Sequence, residues 1–275
     1  MQSFFKKLPR YSLRLLLAYL VYIFTGGVLA YLLPRQARNL PQTDSFYGIG
    51  RGPDRAVLVE EPQDAFARRV EVIRTAQSTL DVCYHCVKSG ETTECFFAEL
   101  LRAADRGVRV RVLLDGTVGG LSGARSNIAL ALRAHPNIEY RIYNPVDLLR
   151  PWEWNALLHD KFILADDRML LLGGRNIGDE YFAPPGYEGA VTYDRDVLVL
   201  NDLAGTPDSS ESVTAQAKIY MDTLWDAPET DKFGTLSPSR RADGLAAQEY
   251  LKETAARWEA AAPSFYLPSD RKSVV

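Results

Sequence analysis

HDKFILADDRMLLLGGRN, residues 159–176, is the stretch on which the reading of this chain turns. Two apolar runs, Lys161–Ala165 and Met169–Leu172, flank Asp166-Asp167-Arg168, the pattern of a β-hairpin. Residues two apart on a strand share a face, so His159 and Lys161 project together while Phe162 and Leu164 face the other layer. A turn centred near Asp167 pairs Lys161 with about Gly173 and His159 with about Arg175. Gly173 and Gly174 then lie opposite the His159/Lys161 pair, leaving side-chain-free space where a ligand can approach the backbone, and Asn176 returns beside His159.

Upstream of the hairpin, strands and helices alternate at short intervals. Ala56–Val59 reads as a strand, Phe66, Val70 and Ile73 as a helix face, and Leu80–Val87 as a strand. Phe96, Leu100 and Ala104 mark a helix, Val108, Val110, Val112 and Leu114 a half-buried strand with Arg109 and Arg111 on its solvated face. Ile128 and Leu132 carry a helix, and Ile138, Tyr140 and Ile142 a strand. Downstream, Val197–Leu200 is one more strand and Val213–Trp225 a helix. This succession predicts an α/β domain over 54–226, a mixed β-sheet sandwiched by helices. Residues 227–275, a Pro/Ser/Thr-rich stretch and then a helical pattern from Leu245 to Ala262, are expected to form a linker and helix leading towards a second half beyond this sequence.

Composition frames these elements. The 275 residues are 47% hydrophobic and 24% charged, as in ordinary globular chains, and the formal charge of −3 supplies no general field for polyanions. Nucleic acid is therefore not an expected partner. Three cysteines cannot make a disulfide framework, and Cys83-x2-Cys86 on a strand reads as buried thiols, with no metal site implied. Ahead of the domain, Leu15–Leu33 is uncharged and long enough, at about 1.5 Å per residue, to cross a hydrocarbon layer of about 30 Å. It predicts one transmembrane helix (15–33) between a basic segment (1–14) and a tether (34–53), a retained anchor being favoured over a cleaved signal peptide. Lys6, Lys7, Arg10 and Arg14 against Arg35 and Arg38 favour a cytoplasmic N-terminus and a domain on the outer, periplasmic side of the inner membrane.

A histidine, a lysine and an amide around a glycine-lined space suit phosphoryl transfer. An imidazole can attack phosphorus, and a cation with neutral donors can hold the equatorial oxygens as charge develops. Such a histidine needs its other ring nitrogen oriented, usually by a carboxylate. Asp194 and Asp196, two apart before an apolar strand, share a face and either fits; Asp166, in the turn, is expected to fix the turn instead.

His159-x-Lys161-x4-Asp166-x6-Gly173-Gly174-x-Asn176 resembles the HxK(x)4D(x)6GGxN signature of the phospholipase D superfamily. The resemblance runs over about residues 55–226, and AADRGVRVRVLLD (103–115), RIYNP (141–145), GGRNIGDEYF (173–182) and YDRDVLVL (193–200) look most like its bacterial cardiolipin-synthase-like branch. It implies a phospholipase D-like fold, a phosphohistidine at His159, Lys161 and Asn176 on phosphate oxygens, Asp194 as the histidine-orienting acid, Asp166 as a structural acid, and no metal or other cofactor. It also implies a site built from two motifs, whereas this chain has one. The second is expected from a homodimer partner or from further C-terminal sequence.

His85, on a strand, and His135, in an exposed helix-to-strand connection, lack the company that would mark a second motif. Trp152 and Trp154 either dip into lipid beside the site or pack under a loop. The expected function is a membrane-anchored, cardiolipin-synthase-like phosphatidyltransferase acting on phospholipids. The alternatives are a phosphodiesterase or nuclease active as a homodimer, or a catalytically inactive half.

Overall fold

The computed structural model describes residues 10–29, 32, 52–266 and 268, in two units. The basic segment 1–9, the end of the expected span at 30, 31 and 33, and the tether through 51 lie outside the described residues.

The first unit comprises Met1–Tyr47 with Val146–Leu157. Helix α1 (Arg10–Phe24) continues as a π-helical turn, Thr25–Leu29, with no proline between Arg10 and Leu29 to stop it. Tyr11–Leu29 is long and apolar enough to cross a membrane, with a mean hydropathy of 1.7, and its side chains mostly face outward. Segment 146–157 packs on this helix. Tyr19 Oη donates to Leu148 O at 2.9 Å, Tyr22 Oη donates to Leu149 O at 2.5 Å, and the Tyr22 ring meets Trp152 edge-on. Trp154 Nε1 donates to Asp147 O at 2.7 Å, so the two tryptophans do different work: Trp154 closes the loop and Trp152 is exposed against the helix.

The second unit is a single eight-stranded sheet in the order β1-β7-β6-β5-β2-β3-β4-β8. The strands are β1 (Asp54–Val59), β2 (Thr79–Tyr84), β3 (Arg109–Asp115), β4 (Ile138–Tyr143), β5 (Lys161–Ala165), β6 (Met169–Gly173), β7 (Asp196–Asn201) and β8 (Thr230–Lys232). Only β2-β3-β4 run parallel; every other neighbouring pair is antiparallel. The parallel strands are joined by the crossover helices α3 (Glu91–Asp105) and α4 (Ser126–Ala134), and α2 (Pro62–Thr75) links β1 to β2; the apolar faces of the three helices meet Val82, Val112, Leu114 and Ile163 in the larger core. A smaller core on the opposite face joins Cys83, Leu113, Phe162 and Leu164 to Met221 and Trp225 of helix α6 (Val213–Trp225); the turn Asp179–Phe182 is α5. Helices thus cover both faces of a mixed sheet, as expected.

Hairpin β5-β6 forms in the expected register: Phe162 opposes Leu172 and Ala165 opposes Met169, a spacing that sets Lys161 against Gly173 one step further. Asp166 and Asp167 are both left-handed, at φ 51°, and Arg168 N–H closes the turn on Ala165 O at 2.9 Å. Arg111, expected on a solvated face, is instead clamped by Asp81 and Asp222 at 2.6 and 2.8 Å with its guanidinium over the Trp225 ring. Aromatic cover and two carboxylates from distant elements created that environment, which β3 alone does not reveal.

The C-terminal segment departs most from expectation. Residues 230–232 pair with β4 as an edge strand, and the last helices α7 (Pro238–Ala261) and α8 (Pro263–Tyr266) lie on the domain. Gln248 Nε2 donates to Ala131 O, Arg102 pairs with Glu259, and the Phe265 ring stacks on Phe66 at 4.5 Å. Residues 227–266 therefore complete this body and do not form a separate linker. Helix α7 begins at Ser237, whose hydroxyl accepts from Arg240 N, well before the apolar periodicity from Leu245. Its first turns are polar and carry no stripe by which to recognise them.

Candidate active site

His159, Lys161, Gly173, Gly174, Asn176 and Asp194 gather where β2 and β3 end and β5 begins, at the carboxyl edge of the parallel strands, where open α/β sheets commonly bind ligands, whereas Asp166 lies at the opposite end of β5. His159 stands two residues ahead of β5 and is exposed, while Lys161 is the buried first residue of that strand. Lys161 Nζ donates to His159 O at 2.8 Å and lies 3.3 and 3.5 Å from Nδ1 and Nε2 of the imidazole. Burial lowers the Lys161 ammonium, and Asp160 and Asp194 pull it back up. Asp160 is turned to the other face, where Tyr220 Oη of α6 donates to its Oδ2 at 2.8 Å.

Lys161 belongs to a row crossing the sheet on one face: Tyr84 opposes Lys161, Gly173 opposes Asp196, and Asp196 opposes Val59. The row shows why both glycines are needed. A Cβ on Gly173 would come within 2.1 Å of Asp196 Oδ1 and 2.4 Å of Arg195 O, and a Cβ on Gly174 within 2.2 Å of both Asp194 carboxylate oxygens. The space expected to stay open for a ligand is occupied by these two carboxylates.

The two acids differ in kind. Asp196 is fully buried, and its Oδ2 accepts from Arg69 at 2.9 Å and from Arg175 at 3.0 Å, a structural ion cluster. Asp194 is exposed over Gly174 and accepts from Arg195 N at 2.8 Å. No hydrogen bond joins Asp194 to His159 among the described residues, so orientation of the imidazole by this acid is not seen in this geometry.

Asp166 sits at the hairpin tip with its carboxylate accepting from the backbone N–H groups of Gln77, Ser78 and Thr79, at 2.7, 2.8 and 2.8 Å. It thus ties the hairpin to the α2–β2 connection. Asn176 Oδ1 accepts from Cys86 N at 3.0 Å and its Nδ2 donates to Tyr181 Oη at 3.2 Å, which fixes the amide against the end of β2.

Two further residues complete the arrangement. The His85 ring packs 4.5 Å from the His159 ring, centroid to centroid, tilted by 50°, and Nδ1 of His85 lies 2.9 Å from Leu158 O. Asp115, fully buried, accepts Leu158 N–H on Oδ2 and Thr117 and Val118 N–H on Oδ1, each at 2.9 Å. The arrangement can therefore offer an accessible imidazole, a cation beside it and an amide fixed nearby, the parts of a phosphoryl-transfer site.

Residues 70–199 match the sequence profile of the family described as "Cardiolipin synthase, PLD-like domain". Over that span, a little under half of the chain, the sequence is similar to the phospholipase D superfamily, in its cardiolipin-synthase-like branch. Within this superfamily it is 39% identical over 152 residues to cardiolipin synthase C of Escherichia coli K12, an alignment covering 52% of this chain and 31% of that protein. The chain thus spans about a third of the curated relatives it matches. In structure the phospholipase D-like fold is shared with NucT from Helicobacter pylori (TM-score 0.50, 15% identity, 66% of this chain and 99% of that one). It is shared equally with phosphatidylserine synthase from Haemophilus influenzae Rd KW20 (TM-score 0.50, 16% identity, 74% and 44%).

Against this phospholipase D-like framework, sequence reasoning missed His85, Asp115 and Tyr181. His85 follows an apolar strand, and its proximity to His159 comes from the β2–β5 pairing, which no local pattern announces. The ending LLD on β3 offered a faint signal, an acid at the carboxyl end of a buried parallel strand. His135 is not in an exposed loop. It is buried, with Nε2 3.1 Å from Asp105 Oδ1 and Nδ1 accepting from Asn137 N–H, a cap between α4 and β4.

Proposed function

We propose that this chain carries the His159 half of a membrane-anchored phosphatidyltransferase of cardiolipin-synthase type, acting on phospholipid phosphodiesters through a phosphohistidine. The observation that carries the reading is the hairpin, which sets an exposed His159 against the Lys161 ammonium with Asn176 held nearby. An unprotonated ring nitrogen of His159 attacks phosphorus and forms the N–P bond. The P–O bond to the first alcohol breaks, that oxygen takes a proton, and an incoming alcohol or water reverses the sequence. Lys161 has donors left after bonding His159 O, and they stabilise charge on the non-bridging oxygens. Asp194 serves as a polar wall of the site and raises the Lys161 ammonium, while Gly173, Gly174 and Asp166 act by holding the hairpin.

The apolar helix Tyr11–Leu29 supports a lipid substrate, as does the exposed apolar group Leu148, Leu149 and Trp152 in segment 146–157, which ends two residues before His159. A second motif, from a homodimer partner or further sequence, supplies the acid and base for the two alcohols.

The test is to reconstitute the chain in phosphatidylglycerol/phosphatidylethanolamine vesicles and follow cardiolipin and phosphatidic acid by mass spectrometry, beside a duplex and a single-stranded DNA substrate. Lipid turnover lost by about 10³-fold or more in His159→Ala is expected. Cleavage of DNA alone, lost in the same variant, would replace this reading with the nuclease one. Lipid turnover unaffected in His159→Ala would remove His159 as nucleophile.

A further inference from the structure

His85 has no part in the reaction just described, yet it makes the closest ring contact of His159. Its surroundings come from three elements. From the stretch before β5, Leu158 O receives Nδ1–H at 2.9 Å and the His159 ring lies 4.5 Å away. From β5 itself comes the Lys161 ammonium, and from β3 the Asp115 carboxylate, 4.0 Å from Nδ1. A carbonyl oxygen only accepts, so the bond to Leu158 requires the Nδ1–H form of the His85 ring. Burial holds His85 below the ordinary histidine range against the pull of Leu158 and Asp115, with His159 and Lys161 adding to the lowering.

The backbone of Leu158 is therefore held at both of its polar groups, its N–H by Asp115 Oδ2 and its C=O by His85 Nδ1–H. This residue immediately precedes His159 and sets the direction in which the imidazole leaves the backbone. Asp115 is itself immobilised by Thr117 and Val118 N–H. Rings 4.5 Å apart leave no room for a tetrahedral phosphoryl group between them, so His85 stands beside the nucleophile and not across the phosphorus from it.

We propose that His85, backed by Asp115, is a positioning residue for His159: it clamps the Leu158 carbonyl and supports one face of the imidazole. The proposal rests on His159 being the nucleophile. Misplacement of a reacting group by a fraction of a bond length slows transfer without weakening ground-state binding, so the signature is a loss in kcat at constant KM.

The experiment uses the full chain in detergent micelles with bis(p-nitrophenyl) phosphate as probe, and histidine-selective 15N NMR on the same samples. His85→Ala is expected to lower kcat about tenfold or more with KM within about twofold. His85→Asn, whose amide N–H can reach the Leu158 carbonyl, is expected to recover most of that loss, while His85→Phe, a ring without the donor, is not. NMR is expected to show His85 as the Nδ1–H tautomer. Three variants within about twofold of wild type, a rise in KM alone, or Phe outperforming Asn would overturn the clamp. If the wild-type chain leaves the probe untouched, the tautomer decides: Nδ1–H upholds the clamp while the proposed function fails, and Nε2–H overturns the clamp.

Discussion

Asp194 and Asp196 stand two residues apart and each lies against a glycine of the same hairpin, yet they inhabit opposite environments. Asp196 opposes Gly173 inside the sheet, sealed from water and neutralised by Arg69 and Arg175. Asp194 lies over Gly174 in the open, hydrogen-bonded among the described residues to its neighbour's N–H, with its field reaching Lys161. A buried carboxylate is retained by the charges around it and is lost to chemistry; an exposed one costs nothing to desolvate and remains available. One strand step separates a structural acid from a site acid.

The largest effect expected from breaking this contrast is at Asp196. Asp196→Ala leaves two buried guanidiniums without their shared partner, a loss of about 3–5 kcal/mol by urea unfolding, and a cost under about 1 kcal/mol would show that water relieves the cluster. The two glycines sharpen the same comparison. A methyl on Gly173 meets the Arg195 backbone and the fixed Asp196 carboxylate, so Gly173→Ala is expected to cost about 1–3 kcal/mol. The atoms nearest a methyl on Gly174 are the carboxylate of the exposed Asp194 side chain, which can swing away, so Gly174→Ala should cost less; equal unfolding midpoints for the pair would contradict the distinction.

The smallest effect on stability belongs to Asp194→Asn, within about 0.5 kcal/mol of wild type. Its effect is on titration. Asp194 raises the Lys161 ammonium, which burial lowers. Without that carboxylate Lys161 gives up its proton at lower pH, and the basic limb of the pH–rate profile moves down in pH. A limb unmoved in Asp194→Asn would mean that Lys161 is not the group that sets it.

Much of the fold was legible because its signals are local. The period-two alternation in residues 109–115, the helical spacing of Phe96 and Leu100, and the paired aspartates in the hairpin turn each report a few neighbouring residues. The C-terminal segment was less legible, since β8 is three polar residues on an edge and α7 opens with turns that have no apolar stripe. At the site, the motif announced His159, Lys161 and Asn176 together. The glycines, read as open space for a ligand, face carboxylates instead, because what lies against them depends on β7 arriving beside β6.

By itself the sequence determined the hairpin, its register and the shared face of His159 and Lys161, since turn chemistry and strand periodicity act over fewer than twenty residues. Only the tertiary structure decided which aspartate is sealed by arginines, which histidine meets His159 and which merely caps a helix. Those outcomes join residues as far apart as Arg69 and Asp196, or His85 and Leu158, and follow from strand order and layer packing, in which a side chain's role is set by what the rest of the chain brings to it.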